Sequence, residues 1–147
     1  MYAWMIRRFV RGRFAAMSRG DTAAVLRLFA DDACFRYGGR HALGGEYRGK
    51  PEISKWFARA WGLFRIEFEL HDVVVAGPPW NTRVATRFTA RVTAADGRRF
   101  LNHGMQYARI HWGRVREDQV YPDTQLVADA VQHARGIPAR APVAGTR

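Results

Sequence analysis

The sequence has 147 residues, of which 48% are hydrophobic, 13% aromatic and 25% charged. This composition is ordinary for a single globular domain, and it excludes a fibrous chain, a low-complexity chain and a disulfide scaffold. Cys34 is the only cysteine, so no disulfide can form within the chain, and we expect a cytoplasmic location. No apolar stretch approaches the roughly 20 residues that a membrane span requires, and we expect no membrane partner.

The formal net charge is +11, and all but two of the 24 basic residues are Arg. A balance this basic is compatible with an anionic partner such as a nucleic acid. The arginines form no dense run, however, and the sequence has neither the spacing of a zinc finger nor the signature of an RNA-binding sheet. We therefore expect the charge to be spread over the surface, and we do not expect a nucleic-acid partner.

The first half of the chain predicts three helices and one strand. Apolar residues recur at helical spacing over 2–17, and Asp21 is placed as the N-cap of a short second helix. Residues 33–37 alternate between apolar and polar, which indicates a strand. A glycine-rich loop over 38–49 follows. A third helix, over 51–64, has the clearest helical periodicity in the chain.

In the second half the period changes to two, which indicates antiparallel strands. The alternation predicts strands over 66–75, 84–92, 100–112 and 114–121, separated by turn-forming residues. A last helix is expected over 124–133.

This order of elements predicts an α+β fold in which a curved, mostly antiparallel sheet forms a cone-shaped roll. The sheet would wrap around a long N-terminal helix and two shorter helices. We expect one domain over residues 1–135 and a disordered C-terminal tail over 136–147.

Several local motifs, in this order and spacing, resemble the SnoaL-like group of the ketosteroid isomerase and nuclear transport factor 2 superfamily. They are Gly20-Asp21 ahead of Leu28-Phe29-Ala30-Asp31-Asp32-Ala33, then Tyr47-Arg48-Gly49-Lys50, then Gly113-Arg114-Val115, and finally Tyr121-Pro122-Asp123-Thr124. The resemblance implies a cone between sheet and helices that holds a small, mostly apolar molecule. Some members of the group are isomerases, polyketide cyclases, epoxide hydrolases or dehydratases, and others only bind. We expect a homodimer formed through the outer face of the sheet.

The resemblance also assigns residues to the family's catalytic positions. The position of the ketosteroid isomerase base is Tyr37 here, and its two oxyanion donors fall near Arg13 and at Gln106 or Tyr107. These differences argue against steroid isomerisation by that mechanism. The acid that the polyketide cyclases carry at the end of the last strand is matched by Asp123.

Asp123 has two interpretations. If it and Tyr121 face the cone, apolar surroundings favour general acid–base chemistry, such as removal of a proton from carbon next to a carbonyl. Gln106, Tyr37 or Tyr107 would then donate to the enolate oxygen. Alternatively, Asp123 directly precedes a helix, where Asp is a favoured N-cap.

The remaining candidates line the predicted pocket. Strand parity puts Gln106 and Asn102 on the buried side of their strand and His103 on the opposite side. The predicted site consists of catalytic Asp123 and Gln106, with substrate-binding Tyr37, Trp56, Trp61, Phe88, Asn102, Tyr107 and Tyr121. The histidines lack the spacing of a metal site, so we expect no metal and no cofactor.

We therefore predict that the protein binds a small, largely apolar molecule, and that this binding is coupled to cofactor-free acid–base chemistry. Such an enzyme would be an isomerase, cyclase or lyase. The alternative is a non-catalytic module that binds a ligand or another protein.

Overall fold

The computed structural model describes residues 1–137. Ten elements follow one another along the chain: α1 (Tyr2–Ser18), α2 (Thr22–Arg27), β1 (Phe29–Tyr37), β2 (Gly45–Arg48), α3 (Gly49–Leu63), β3 (Phe64–Ala76), β4 (Thr82–Ala94), β5 (Arg99–His111), β6 (Arg114–Tyr121) and α4 (Thr124–Arg135). A disordered tail is predicted over 136–147, and its residues from 138 onward lie outside the part of the chain that the structure describes.

The six strands form one curved sheet in the order β2-β1-β6-β5-β4-β3. All neighbours are antiparallel except β1 and β6, which run parallel. The α+β fold predicted from the sequence is confirmed. The strand β2 was not expected, because its four residues lie within the glycine-rich segment that predicted a loop.

The helix α1 packs across the concave face of the sheet. Its buried residues include Ile6, Val10, Phe14 and Met17, which form the apolar stripe that the sequence predicts. The helix ends where Gly20 adopts a φ of +69°, a conformation that favours glycine. In this turn the Gly20 and Asp21 N–H groups donate to the carbonyls of Met17 and Ala16.

The β-bulges in β3 and β6 change which side chains face the inside of the sheet. In β3 the register with β4 shifts between Leu70 and Asp72, so His71 is the extra residue. In β6 the register with β5 shifts at Arg109 and Ile110, which pair with Glu117 and Val115 and leave Arg116 unpaired. Beyond each bulge, the alternation of inward and outward side chains moves by one residue.

Candidate functional site

A cavity lies between the concave face of the sheet and the helices α1, α3 and α4. The space inside it that can hold the centre of a water molecule is about 70 Å³. Most of its wall is apolar, and nine of the lining residues are aromatic: Phe14, Phe35, Tyr37, Trp56, Phe57, Trp61, Phe64, Phe68 and Phe88. A concave pocket with a mostly apolar and aromatic lining is typical of a site for a small organic molecule.

Three polar side chains meet in this apolar wall: Arg13 from α1, Gln106 from β5 and Asp118 from β6. Arg13 Nη2 forms an ion pair with Asp118 Oδ2, and Gln106 Nε2 donates to Asp118 Oδ1 over 2.6 Å. Asp118 is 1% exposed and Arg13 is 3% exposed. We call these three residues the polar triad. In the polar triad, the only acidic side chain that lines the cavity accepts hydrogen bonds from two donors.

One donor of the polar triad lacks a partner. Within residues 1–137, Arg13 Nε is buried and forms no hydrogen bond. The guanidinium also lies over the Phe29 ring, with Cζ 4.8 Å from the ring centroid. A buried donor without a partner is costly, so Arg13 Nε is a favourable place for an acceptor atom of a water or a ligand.

The bulge in β6 explains why Asp118 reaches the cavity. Strict alternation from Val115 would place Glu117 inside and Asp118 outside. Because the register shifts at Arg116, Glu117 faces outward and Asp118 pairs across from the buried Ala108. The strand predicted over 114–121 rested on an alternation without such a break, and Asp118 was therefore not among the predicted site residues.

Tyr37, at the end of β1, lies in the wall beside the Trp56 ring, with the two ring centroids 5.0 Å apart. Burial raises the pKa of its hydroxyl above the ordinary value of 10.0. The hydroxyl therefore stays protonated near neutral pH and can donate a hydrogen bond. Tyr37 thus lies in the cavity wall, and its role in binding stays a prediction.

A loop over residues 38–44 closes one side of the cavity with the buried side chain of Leu43. The Leu43 carbonyl accepts from Trp56 Nε1 over 2.8 Å and from the Tyr47 hydroxyl over 3.2 Å. His41 holds the loop from within, since its Nδ1 accepts from the Leu43 N–H and its Nε2 donates to the Gly38 carbonyl. Burial lowers the pKa of His41 below 6.5, which favours this neutral form.

Asp123 does not enter the cavity. It is exposed, and its Oδ1 accepts from the Leu126 N–H over 3.2 Å, so the carboxylate caps α4. Of the two interpretations of Asp123, the structure therefore shows helix capping. The physical reason is local, because an Asp that directly precedes a helix satisfies a free N–H at little cost.

Asn102, on β5, binds the backbone at the start of α4. Its Oδ1 accepts from the Asp123 N–H over 2.9 Å, and its Nδ2 points to the Asp123 carbonyl at 3.5 Å. The side chain lines the cavity, but its amide is occupied by this backbone contact. Asn102 therefore positions α4, whose residues Leu126, Val127 and Ala130 form part of the cavity wall.

The other predicted residues divide between the two faces of the sheet. Trp56, Trp61, Phe88 and Gln106 line the cavity, as the sequence analysis expected.

Tyr107 and Tyr121 do not line it. They are 37% and 52% exposed, because both project from the outer face. Tyr121 pairs with Met105, whose side chain is also exposed, so the bulge in β6 accounts for its placement as well. His103 is also exposed on the outer face, where its Nδ1 contacts the Thr89 hydroxyl.

Within residues 1–137, no group of three or more His, Cys, Asp or Glu side chains is arranged to hold a metal ion. In the same part of the chain, no helix is long and apolar enough to span a membrane.

Comparison with known proteins identifies the family. Residues 7–118 match the family model described as the SnoaL-like domain, which is more than half of the chain. The chain belongs to the SnoaL-like domain family. A search of curated proteins found no relative by sequence.

Solved structures share the fold at low sequence identity. An NTF2-like protein of unknown function from Burkholderia pseudomallei is 22% identical, with a TM-score of 0.75 over 85% of this chain and 95% of that one. A protein with a ketosteroid isomerase-like fold from Catenulispora acidiphila, in complex with trimethylamine, is 21% identical, with a TM-score of 0.69 over 88% and 93%. TerC, co-crystallized with polyporic acid, is 15% identical, with a TM-score of 0.73 over 85% and 96%. At these identities the likeness establishes the fold.

Proposed function

We propose that the protein binds a small, largely apolar molecule carrying at least one ring, and that the polar triad receives an oxygen-bearing part of it. The observation that carries this proposal is the single carboxylate, Asp118, placed among aromatic walls. Flat aromatic side chains offer favourable stacking and edge contacts to a ring. Arg13 Nε offers an unused donor to a ligand oxygen.

The chemistry that we infer for this site is cofactor-free proton transfer. Asp118 would take a proton from a carbon next to a carbonyl. The electron pair of the C–H bond would form the C=C bond of an enolate, and the π pair of the C=O bond would move to the carbonyl oxygen. Arg13 Nε and the Tyr37 hydroxyl would donate to that oxygen as its negative charge develops. Return of the proton from Asp118 to another carbon of the enolate would complete an isomerisation. In a cyclisation, the enolate carbon would instead attack a second carbonyl of the same molecule, and the alkoxide formed there would take the proton from Asp118.

The relatives support the binding part of the proposal. Two structural neighbours were solved with small molecules, polyporic acid in one case and trimethylamine in the other.

The experiment measures binding and proton transfer separately. Binding of a panel of aromatic ketones and hydroxyquinones is followed by quenching of tryptophan fluorescence, since Trp56 and Trp61 line the cavity. Proton transfer is followed by NMR as exchange of the ketone α-hydrogens in D₂O. We expect Asp118→Asn to abolish exchange while the compound still binds, and the matched variant Asp123→Asn to retain both. Exchange that survives in Asp118→Asn contradicts the catalytic role.

A specific observation favours a second function, which is binding without catalysis. Both oxygens of Asp118 already accept hydrogen bonds, from Arg13 and Gln106. A carboxylate held in this way serves as a structural counter-ion for the buried arginine. In that case the compounds would quench the fluorescence, and no exchange would exceed that of the buffer.

We further propose that the protein forms a homodimer through the outer face of its sheet. This face exposes Leu101, Met105, Tyr107 and Tyr121, and exposed apolar side chains that share one face favour a protein interface. Light scattering coupled to size-exclusion chromatography measures the mass. We expect twice the chain mass of 16.8 kDa, and Met105→Glu should return the monomer mass.

A further inference from the structure

One end of the molecule, opposite the β4–β5 hairpin, exposes four large apolar side chains. Trp4, Met5, Trp80 and Trp112 are 63%, 52%, 56% and 64% exposed. We call these four residues the tryptophan end. They come from three separate segments: the start of α1, the β3–β4 loop and the β5–β6 turn.

Hydrogen bonds tie the three segments together. The Tyr2 hydroxyl at the start of α1 contacts the Thr82 hydroxyl at the start of β4. The Trp112 N–H donates to the Pro79 carbonyl over 2.8 Å, and the Trp80 and Trp112 ring centroids are 5.9 Å apart. Hydrogen bonds therefore hold the backbone segments that carry these exposed side chains next to one another.

The backbone at Trp112 indicates that its exposure is a specific feature. Trp112 has a φ of +48°, and within residues 1–137 it is the only residue other than glycine with a positive φ. Asn, Asp or Gly adopts this conformation in a two-residue hairpin turn more easily than a bulky aromatic residue. The turn thus accepts backbone strain and presents an indole to solvent, as functional sites often do.

The surroundings of the tryptophan end are basic. The Arg8 guanidinium lies 5.9 Å from the Trp4 ring centroid, and Arg83 and Arg109 follow at the nearby ends of β4 and β5. Arg83 forms no salt bridge within the part of the chain that the structure describes. Arg109 forms an exposed ion pair of 3.5 Å with Glu117 and donates a hydrogen bond to Asn81 Oδ1 over 3.2 Å. The patch therefore combines indoles with positive charge.

We infer that the tryptophan end docks the protein onto the surface of an anionic lipid bilayer. Indole rings favour the boundary between lipid headgroups and acyl chains, and arginines are attracted to anionic headgroups. A single-stranded nucleic acid offers the same charge, but it needs flat platforms for successive bases. The Trp80 and Trp112 rings are tilted by 43°, and Met5 cannot stack on a base, so the patch fits a membrane better.

This inference departs from the sequence-based expectation of no membrane partner. Helix hydropathy detects segments that cross a bilayer, whereas a patch that lies on a bilayer is assembled from residues distant in sequence. Trp4, Trp80 and Trp112 are far apart along the chain, so no sequence window brings them together.

The test is co-sedimentation of the full chain with vesicles. One set contains phosphatidylcholine alone, and the other contains equal parts of phosphatidylcholine and phosphatidylglycerol. We expect binding to the anionic set, weakened by salt. The double variant Trp80→Ser/Trp112→Asn should lose roughly tenfold or more in affinity, which corresponds to removal of at least about 1.4 kcal/mol. Asn suits the backbone at position 112, so this variant should remain folded, as circular dichroism will verify.

A matched pair of charge variants separates this docking from other effects. Arg83→Gln should weaken binding more than Arg99→Gln, because Arg99 lies at the opposite end of the sheet.

Three results would overturn the inference. The first is a lack of sedimentation with anionic vesicles, and the second is equal losses in Arg83→Gln and Arg99→Gln. The third is preferential binding of a single-stranded oligonucleotide that Trp80→Ser/Trp112→Asn abolishes.

Discussion

The guanidinium of Arg13, on the first helix, forms a buried ion pair with the carboxylate of Asp118, on the last strand, 105 residues later in the chain. Each charge has left water, and each depends on the other for compensation. This pair and Gln106 form the polar part of an otherwise apolar cavity.

Removal of one partner from this pair should be strongly destabilising. Asp118→Ala leaves the Arg13 charge buried without compensation, and we expect the free energy of unfolding to fall by about 3–5 kcal/mol. Urea unfolding followed by circular dichroism measures the change. The double variant Arg13→Met/Asp118→Leu removes both charges and should recover most of the loss, since buried pairs are often replaceable by apolar residues. A double variant less stable than Asp118→Ala would contradict this account of the pair.

Asp123 should contribute to stability and leave ligand binding unchanged. Asp123→Ala removes the side-chain cap of α4, and we expect a loss of about 1 kcal/mol in the free energy of unfolding. Asp21→Ala is a matched control, because Asp21 caps α2 through the Ala24 N–H. Both variants should keep the ligand affinity of the parent protein. Loss of ligand binding in Asp123→Ala alone would instead return Asp123 to the site.

Gly104 keeps the cavity open on the β5 side. A Cβ at position 104 would lie 2.7 Å from Phe88 Cζ, and Phe88 lines the cavity. Gly104→Ala should therefore push the Phe88 ring inward, lower stability by about 1–3 kcal/mol and weaken ligand binding.

Gly12→Ala is the matched control for Gly104→Ala. A Cβ at Gly12 meets no atom within 4 Å, so this variant should gain about 0.5–1 kcal/mol from helix propensity. Thermal unfolding and fluorescence titration of both variants test the pair. Unchanged ligand affinity in Gly104→Ala would show that Phe88 does not bound the binding site.

His41 should make stability depend on pH below neutrality. Its pKa is lowered by burial, so the unfolded chain binds the proton more readily than the folded one. The contribution of neutral His41 is fully present above the ordinary value of 6.5 and is lost as pH falls from there towards the lowered pKa of the folded state. Protonation also removes the acceptor for the Leu43 N–H and should loosen the loop over 38–44.

The measurement for His41 is the free energy of unfolding at several pH values, for the parent protein and for His41→Asn. The difference between the two proteins should change between neutral pH and mildly acidic pH, with the parent protein losing more stability. Parallel curves for the two proteins would exclude His41 as the source of the pH dependence.

The order of helices and strands could be predicted from the sequence because local periodicity determines it. The stripe of α1 and the alternation of β4 and β5 are patterns within single segments, and Gln106 and Phe88 were placed correctly from them. The pairing of β1 with β6 is a contact between distant segments, and periodicity carries no information about it.

The main carboxylate of the site could not be predicted, because one extra residue reverses the faces of a strand. The bulge at Arg116 exchanges the sides of Glu117 and Asp118 and moves Tyr121 outward. The sequence offered one usable signal for Asp118, which is an acidic residue that lies between Val115 and Val120 on the last strand. Arg13, with which Asp118 pairs, likewise stands on a helix whose remaining buried residues are apolar.

The parallel pairing of β1 with β6 has a consequence for folding during synthesis. A ribosome that has released β1 and β2 must still make more than sixty residues before the central neighbour of β1 exists, and loop-closure entropy makes such non-local contacts slow to form. Until then, the aromatic residues of α3 lack part of the sheet that faces them across the cavity, and Arg13 has no counter-ion. The cavity is therefore among the last parts of the molecule to form, and nascent chains that stop short of Asp118 are expected to be substrates for chaperones and proteases.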